Sequence, residues 1–539
     1  MKLTKNVFVW AVILAASAAS AAEQPLARLS VRSFTDFTNA LSRLAGNFTP
    51  KEAADPGLEF STSLGLTNLT GLDAQRPWEI ALWYGGGGQP PLLAIKAPVE
   101  NVAQFKESLS PAGVLRAQGR EWSQLGNGLG LIVFRDAGSL SDSEKSALDA
   151  WKAEAVAGPR RLVELKLNMS EPIRAQATAG LAIGKGAIIA AVASQQTGTE
   201  GGPNPAAMQG ILASYFEVID TFLAGLQGLT LGLDLSSEVL TIENTVTAKP
   251  GTDLAGWLKT PAGEVTAQDL NWVEPDRLFS GAGYLDNDPW LVKLMQKMVR
   301  LGLQMQNVET NSAMLKDFDD LLAKMLPVAI AGSVDMKDKL TFALSYRFPG
   351  GNVAENYALA KRFLTNGFQA FVGKDKMYAA LSLAEKHHTI NGVPVDRVSI
   401  TVNLDNPLFK MPGQKDQLQT LWPDGKMEID YAIQGDRLLA ASADEMKALL
   451  ERGDGKSKGK AALKLDKGTC LAGYLNLLGF IRQVSAANPG IPEAVKDKLA
   501  KLDGQGAGLE FQMSMDGQMH SVTRVPLKLF RELGRLKGD

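Results

Sequence analysis

The chain has 539 residues, 45% of them apolar and 21% charged, with a formal charge of −2. These values are ordinary for a soluble globular protein, and the length is too great for one hydrophobic core. Mild acidity without a basic stripe or an acidic tail excludes nucleic acid as an expected partner.

The first residues read as a leader. Met1–Asn6 carries Lys2 and Lys5, Val7–Ala16 is apolar, and Ala19-Ser20-Ala21 supplies small residues at the cleavage spacing. This pattern predicts a signal peptide over residues 1–22, cut near Ala21 or Ala22, with an uncleaved N-terminal anchor as the alternative. Removing the two lysines with it leaves a formal charge of −4. No cysteine lies near the cut to carry a lipid, and the apolar run is too short for a stable span. No later stretch reaches ~18 consecutive apolar residues, so no transmembrane anchor is expected. The expected localisation is export, to the periplasm or the extracellular space.

Past the leader, one pattern of strand, helix, hairpin and helix recurs four times. The strand openings are Leu26–Val31, Leu162–Met169, Ser280–Leu285 and Thr469–Leu475. The first hairpin runs from Trp78 to Tyr84, crosses Gly85–Gly88 and returns from Leu92 to Ala97. The second alternates Leu229, Leu231, Leu233 and Leu235, breaks at Ser236–Ser237, and returns through Leu240 and Ile242. Period-two alternation marks a strand with one buried face. The third pairs Ile330, Val334 and Met336 with Leu340, Phe342, Leu344 and Tyr346 across Lys337–Asp338. The fourth runs through Leu509, Phe511, Met513 and Met515 to Asp516–Gly517, a two-residue turn pair that accepts positive φ. Short helices are predicted after each, over Val99–Leu109, Thr252–Lys259, Val353–Leu364 and Pro526–Leu536.

Each half also holds a bridging strand, turn, strand and helix. These are Trp122–Phe134 with a helix near Ser141–Ala155, and Met427–Ala441 with a helix near Asp444–Arg452. The second half adds a hairpin at Met377–Val402 around Asn391–Gly392. The expected fold class is α+β: tandem-duplicated strand-helix-hairpin-helix units forming large antiparallel sheets with helices on one face. The expected domains are a first half over 23–260, a linker over 261–276 containing Pro261, Gly263 and Pro275 with Trp272 docking it, and a second half over 277–539. Four unrelated hairpins are the alternative.

Candidate chemistry is sparse. Cys470 is the only cysteine, so no intramolecular disulfide forms. It reads as a buried inert thiol, or else as a nucleophile partnered by His520 of the same unit. His387 and His388 are adjacent, so on a regular strand they point to opposite faces and bind one metal only if a bulge intervenes; they read as a solvated hairpin end, since a zinc site needs three or four converging ligands. Gly455-Lys-Ser-Lys-Gly459 matches a nucleophile-elbow spacing, but it sits in a polar linker and not between a strand and a helix. Gly180–Gly186 lacks the spacing and the hydroxyl residue of a phosphate loop. Asp286 and Asp288 precede Pro289 as helix-capping residues, and Asp317, Asp319 and Asp320 share a wet helix face. Leu291, Leu294, Met295, Met298, Leu301 and Met305 form an apolar helical stripe, which faces the core or lines a deformable apolar site. No catalytic, cofactor-binding or metal-ligating residue is assigned.

The segment Lys426–Gln483 joins a strand, a Gly-Asp turn, Leu-Leu-Ala-Ala-Ser, the helix Ala-Asp-Glu-Met-Lys-Ala-Leu-Leu, a polar linker and Leu-Ala-Gly-Tyr-Leu-Asn-Leu-Leu. It resembles a family of exported bacterial proteins of unknown function built from long repeated α+β units. That family has no assigned catalytic residues to carry over. Its usual Tyr-Val-Asp opening stands here as Gly-Tyr-Leu-Asp at 283–286 and as Gly-Tyr-Leu-Asn at 473–476, so a carboxylate at Asn476 is not obligatory. The expectation is a non-enzymatic envelope protein that binds or scaffolds, partnered by an unknown envelope protein or an apolar ligand. An envelope hydrolase and a carrier of lipid or another apolar ligand are the alternatives.

Overall fold

A computed structural model of the chain describes residues 24–48, 71–83, 92–108, 121–125, 128–133, 140–156, 158–195, 205–259, 261, 263–275, 277–305, 312–336, 339–373, 376–406, 414–422, 425–453, 463, 465–487, 491–504 and 506–536. The leader and its cleavage site, Gly85–Gly88, and Gly455–Gly459 lie outside the described residues.

In chain order the elements begin β1 (Ala27–Val31), α1 (Phe34–Phe48), β2 (Trp78–Trp83), β3 (Leu92–Pro98), α2 (Val102–Ser108), β4 (Glu121–Leu125), β5 (Leu129–Val133), α3 (Asp142–Ala153) and β6 (Val163–Asn168). There follow α4 (Glu171–Gln195), α5 (Pro205–Gly225), β7 (Leu226–Leu235), β8 (Val239–Ala248), α6 (Asp253–Trp257), α7 (Ala267–Leu270), β9 (Phe279–Leu285), α8 (Pro289–Met305) and α9 (Ser312–Met325). Next come β10 (Val328–Met336), β11 (Leu340–Arg347), α10 (Val353–Arg362), β12 (Tyr378–Ile390), β13 (Val393–Val402), α11 (Gln414–Leu421), β14 (Lys426–Gln434) and β15 (Arg437–Ser442). The chain ends with α12 (Met446–Gly453), β16 (Thr469–Leu475), α13 (Leu477–Ala487), α14 (Glu493–Ala500), β17 (Leu509–Met515), β18 (Gln518–Pro526) and α15 (Leu527–Gly534). The expected α+β class, with large antiparallel sheets, is the class observed. The expected hairpin at Asn391–Gly392 has positive φ at both residues, 54° and 82°, as a type I′ turn requires.

The chain forms two compact units, one of residues 1–185, 220–254 and 522–539, the other of residues 186–219 and 255–521. In the first, the strand order is β4–β5–β3–β2–β1–β6–β7–β8, antiparallel throughout. One face carries Val31, Trp78, Ile80, Ile95 and Ala97 against Phe34 of α1 and Phe105 of α2. The opposite face carries Ala81, Trp83, Leu92, Ala94, Leu131 and Val133 against Ala147, Leu148 and Trp151 of α3. The Trp83 and Trp151 rings meet edge to face at 5.2 Å, the arrangement that ring quadrupoles favour. Helix α3 starts where the sequence supplies a capping box: Ser141 and Glu144 satisfy each other's backbone amides.

In the second unit the order is β12–β13–β14–β15–β11–β10–β9–β16–β17. The two orders correspond over seven strands, with β8 unmatched: β9 stands where β1 does, β10–β11 where β2–β3 do, β15–β14 where β5–β4 do, and β16–β17 where β6–β7 do. The hairpin β12–β13 is the addition. The long helices lie on one face, where Val292 of α8, Met325 of α9, and Val353, Tyr357 and Ala360 of α10 cover Val328, Ile330, Tyr346, Tyr431 and Leu438. Ion pairs stitch these helices side by side, Lys297 to Glu217, Arg300 to Asp319, and Arg362 to Asp317.

The other face is floored by small residues, Ala282, Ala329, Ala331, Ala343, Ala432 and Ala441. Their size lets chain lie close on the sheet. Val265, Leu270, Trp272 and Val273 settle there beside Met446, Leu449 and Leu450 of α12. The segment expected as a linker thus supplies core to the second unit, and Trp272 is buried in it.

The near-identical openings Gly-Ala-Gly-Tyr-Leu and Leu-Ala-Gly-Tyr-Leu are β9 and β16, and these strands pair with each other. Gly281 lies opposite Gly473, and Ala282 opposite Ala472. A Cβ at Gly281 would stand 2.6 Å from the Ala472 carbonyl oxygen and 3.1 Å from Gly473 Cα. Overpacking of this kind costs roughly 1–3 kcal/mol. Gly281→Val should therefore lower stability by about that amount in denaturant unfolding, whereas Gly256→Ala on α6, where a Cβ meets nothing within 4 Å, should not lower it. Equal effects would refute the close-approach account.

Candidate functional site

The densest chemistry in the second unit is a buried ionic network where residues 264–277 cross the sheet. Its centre is Asp269, which has no exposed surface. The sequence Thr266-x-x-Asp269 forms a capping box at the start of α7: the Thr266 amide and hydroxyl donate to Asp269 Oδ2 at 2.9 and 2.8 Å. Arg347 donates from Nε to Oδ1 at 3.0 Å and from Nη2 to Oδ2 at 2.7 Å. Arg437 Nη2 donates to Oδ1 at 2.7 Å and Nη1 to Ser345 Oγ at 3.2 Å. Arg347 and Arg437 are direct cross-strand partners on β11 and β15, and like charges placed so are destabilising. Asp269 supplies the charge that lets both remain. Burial works against its ionisation, but the donors from Arg347, Thr266 and Arg437 outweigh it and hold the carboxyl down to about 2. The Arg437 guanidinium also lies over the Trp272 ring, 5.3 Å from its centroid.

A second cluster continues the line. Arg277 donates to Glu274, to Asp335 Oδ2 at 3.3 Å, and to Glu445 at 2.9 and 3.1 Å. Arg452, buried at the end of α12, places Nη2 2.6 Å from Glu274 Oε1 and donates from Nη1 to the Trp272 carbonyl at 3.3 Å. Burial pushes the Arg452 guanidinium below its ordinary value, with Glu274 and Glu445 opposing. Glu274, Arg277, Ser333, Asp335 and Glu445 line a shallow depression here. Arginine is not deprotonated in proteins, and Asp269 keeps its charge far below neutrality, so neither Asp269 nor the four arginines are poised for proton transfer near pH 7. What the network does is fix a chain segment to a sheet.

A third group sits on the added hairpin. The register of β12 slips between Ala384 and His388, and Lys386 takes a φ of 48°. Asp396 fills the gap, accepting from the Lys386 amide at 2.7 Å and from the Tyr357 hydroxyl at 2.8 Å, with Lys361 Nζ 3.4 Å away. Burial and the Asp396 carboxylate push the Tyr357 phenol up.

In the first unit Glu79 and Lys96, also cross-strand partners, are both buried under α3. Trp151 Nε1 donates to Glu79. The Lys96 ammonium donates to the Trp151 carbonyl, donates to the Glu154 carbonyl at 2.8 Å, and lies 4.2 Å from the Trp151 ring centroid. Burial pushes it below its ordinary value, partly offset by Glu79 and Glu154.

The residues singled out by sequence fall outside these networks. Cys470 is buried, its Sγ donates to the Met513 carbonyl at 3.4 Å, and burial raises the thiol to about 11. His520 Nε2 lies 3.5 Å from Asp516. The bulge that would let His387 and His388 converge is present, yet His388 Nε2 lies 3.4 Å from Asp430, which Arg397 already grips through both oxygens. Among the described residues no three His, Cys, Asp or Glu side chains gather as a metal site. Asp288 caps α8, accepting from the Trp290 and Leu291 amides at 2.9 and 3.1 Å. Gly180–Gly186 lies within the continuous helix α4. Asp317 and Asp319 reach Arg362 and Arg300 and join helices together. Of the methionine stripe, Leu291, Leu294 and Met295 are half-buried, and Met298 is exposed.

Sequence patterning passed over Asp269, Arg347, Arg437, Glu79 and Lys96. The available signal was a charged residue inside an otherwise apolar strand, together with the Thr-x-x-Asp spacing. No protein-family model, curated protein or solved structure matches the chain.

Removing the Asp269 charge leaves two arginines buried without it. Asp269→Asn should cost about 3–5 kcal/mol in denaturant unfolding. Because its pKa is depressed, the contribution is full above the unfolded value of about 4 and is lost as pH falls toward about 2. Wild-type stability should therefore drop across that window by roughly 2 kcal/mol more than that of the Asn variant; parallel acid profiles would refute this. Native Cys470 should resist thiol reagents at pH 8 and react only on unfolding, and reductant should leave the unfolding midpoint unchanged, since one thiol closes no loop. Rapid native labelling would contradict its burial.

Proposed function

We propose that this chain is an exported, non-enzymatic binding or scaffolding protein of the cell envelope, and that it engages an apolar partner through the helical surface of its second unit. The observation that supports this most is where large apolar side chains meet water. Among the described residues Ile188, Tyr215, Ile219, Phe279, Met298, Phe480, Val484 and Val495 are exposed, and every one belongs to the second unit. Tyr215 with Ile219 on α5, and Phe480 with Val484 on α13, are spaced i, i+4, so each pair shares one helix face. Exposed apolar patches on a soluble protein mark interaction surfaces. The leader pattern supports export, and among the described residues no helix is long and apolar enough to cross a membrane.

The matched strand orders support descent of the two halves from one duplicated ancestor, in keeping with the resemblance to repeated α+β envelope proteins. A carrier of lipid is the second reading. It is favoured by α8, where the adaptable side chains Met295 and Met298 are incompletely covered.

Native mass spectrometry of the protein purified from its own envelope tests the proposal. A co-purifying protein or lipid is expected, and the double variant Phe480→Ser, Val484→Ser should lose it while keeping the wild-type unfolding midpoint. Purification of a bare chain that also fails to bind an apolar dye would sink the reading.

A further inference from the structure

Beyond that apolar surface, the second unit exposes a sheet edge. Strand β12 spans Tyr378–Ile390 and, among the described residues, pairs along its length with β13 alone. Edge strands present unpaired backbone donors and acceptors, and soluble proteins blunt them with charge, proline, bulges or short length. The second half of β12 is blunted in this way. Glu385, Lys386 and His387 are exposed there, and the bulge held by Asp396 breaks the ladder.

The first half is irregular only at its start, where the register slips at Ala379 between Tyr378 and Ala380; Ala380–Ala384 then pairs with β13 without interruption. Tyr378-Ala-Ala-Leu-Ser-Leu-Ala384 has no charge and no proline. Among the described residues its outer side is engaged at the start, where the Tyr378 carbonyl accepts from the Gly373 amide at 2.9 Å. Leu381 and Leu383 lie opposite Ile400 and Val398 in the β12–β13 register. Those partners are buried at 5% and 0% exposure, while Leu381 and Leu383 stay half-buried; among the described residues no strand continues the sheet beyond them. On the other face Ala380, Ser382 and Ala384 are small and exposed.

We propose that this segment is a self-association edge, pairing antiparallel with the same segment of a second copy about a two-fold axis at Ser382. The pattern is self-complementary around that residue. Leu381 falls opposite Leu383 of the second copy, Ala380 opposite Ala384, and Ser382 opposite itself. The leucines complete the apolar layer of Ile400 and Val398. The small residues on the other face let the strands approach. Neither charged residue faces a like charge, since the paired stretch Ala380–Ala384 is uncharged, and Glu385 and Lys386 fall within the slip that ends it. An isologous contact of this kind closes on itself as a dimer and uses the backbone pairing of strand addition. A charged or proline-containing peptide fits this edge less well, because it would set a charge beside the leucines or lack a ladder donor.

Sedimentation of the purified full chain at micromolar concentration tests this together with two substitutions at exposed Ser382. The wild type should sediment at twice the chain mass. Ser382→Lys sets lysine against lysine at the axis and should halve that mass while leaving the far-ultraviolet circular dichroism of the folded chain unchanged. Ser382→Cys should cross-link two chains under mild oxidation, whereas Thr389→Cys, beyond the bulge, should not; buried Cys470 supplies the background. A monomeric wild type would overturn the proposal and leave the edge to another extended chain. A dimer that survives Ser382→Lys, or that fails to cross-link through Ser382→Cys, would place the interface elsewhere.

Discussion

The second unit depends on a carboxylate held between two arginines. Arg347 and Arg437 face each other across β11 and β15, in a region with little water to screen them. Two unpaired guanidinium groups there would each cost several kcal/mol. Asp269 meets both, and its remaining lone pairs are taken by Thr266. The acid comes from chain that precedes β9, whereas the arginines come from strands far along the sequence. Neither side is tolerable without the other, so the ion pairs select one position for residues 264–277 on the sheet. Apolar packing of Val265, Leu270 and Trp272 on an alanine floor would alone permit sliding. The charges set the register.

The first unit meets a similar demand with different groups. Glu79 and Lys96 are also cross-strand partners, and α3 closes over them with Trp151. The ammonium sits at the last carbonyls of α3, of which the Trp151 carbonyl also accepts from the Glu154 amide, and a positive charge is favourable there. In both units the helix that follows the bridging hairpin, α3 or α12, is tied down at its C-terminal end by buried charge: Lys96 grips the α3 carbonyls, and Arg452 of α12 grips Glu274 and Trp272. The residue types are not shared. The two units thus have a common strand order without a common buried chemistry.

Asp396 illustrates how one buried acid shapes an edge. It accepts the Lys386 amide that the slipped ladder leaves without a strand partner, and it is braced by Tyr357 from α10. The helix layer, the added hairpin and the bulge are therefore coupled through one carboxylate. Where that carboxylate acts the edge is irregular, and the Ala380–Ala384 stretch before it pairs regularly.

Local pattern carried the element types. Period two in Leu229–Leu235, the Asn391–Gly392 and Asp516–Gly517 turns, and the Asp288-Pro289 start of α8 are short-range signals whose physics is complete within a few residues. The strand-helix-hairpin-helix order, and with it the α+β class, follows from them. The partners of the buried charges were not legible, because Asp269 meets Arg347 and Arg437 only after some 78 and 168 residues of chain have folded back. By itself, a Thr-x-x-Asp spacing reads as a cap, and an arginine in a strand reads as a solvated face. The Thr260–Asp276 segment looked like a linker because Pro261, Gly263 and Pro275 are local breakers. Its burial was decided by the alanine floor and the arginines awaiting it, which are properties of the assembled sheet. The sequence by itself determined which stretches are strands, helices and turns; only the tertiary structure decided which charges are buried and which edge is left bare, because burial and pairing depend on neighbours that the chain order does not adjoin.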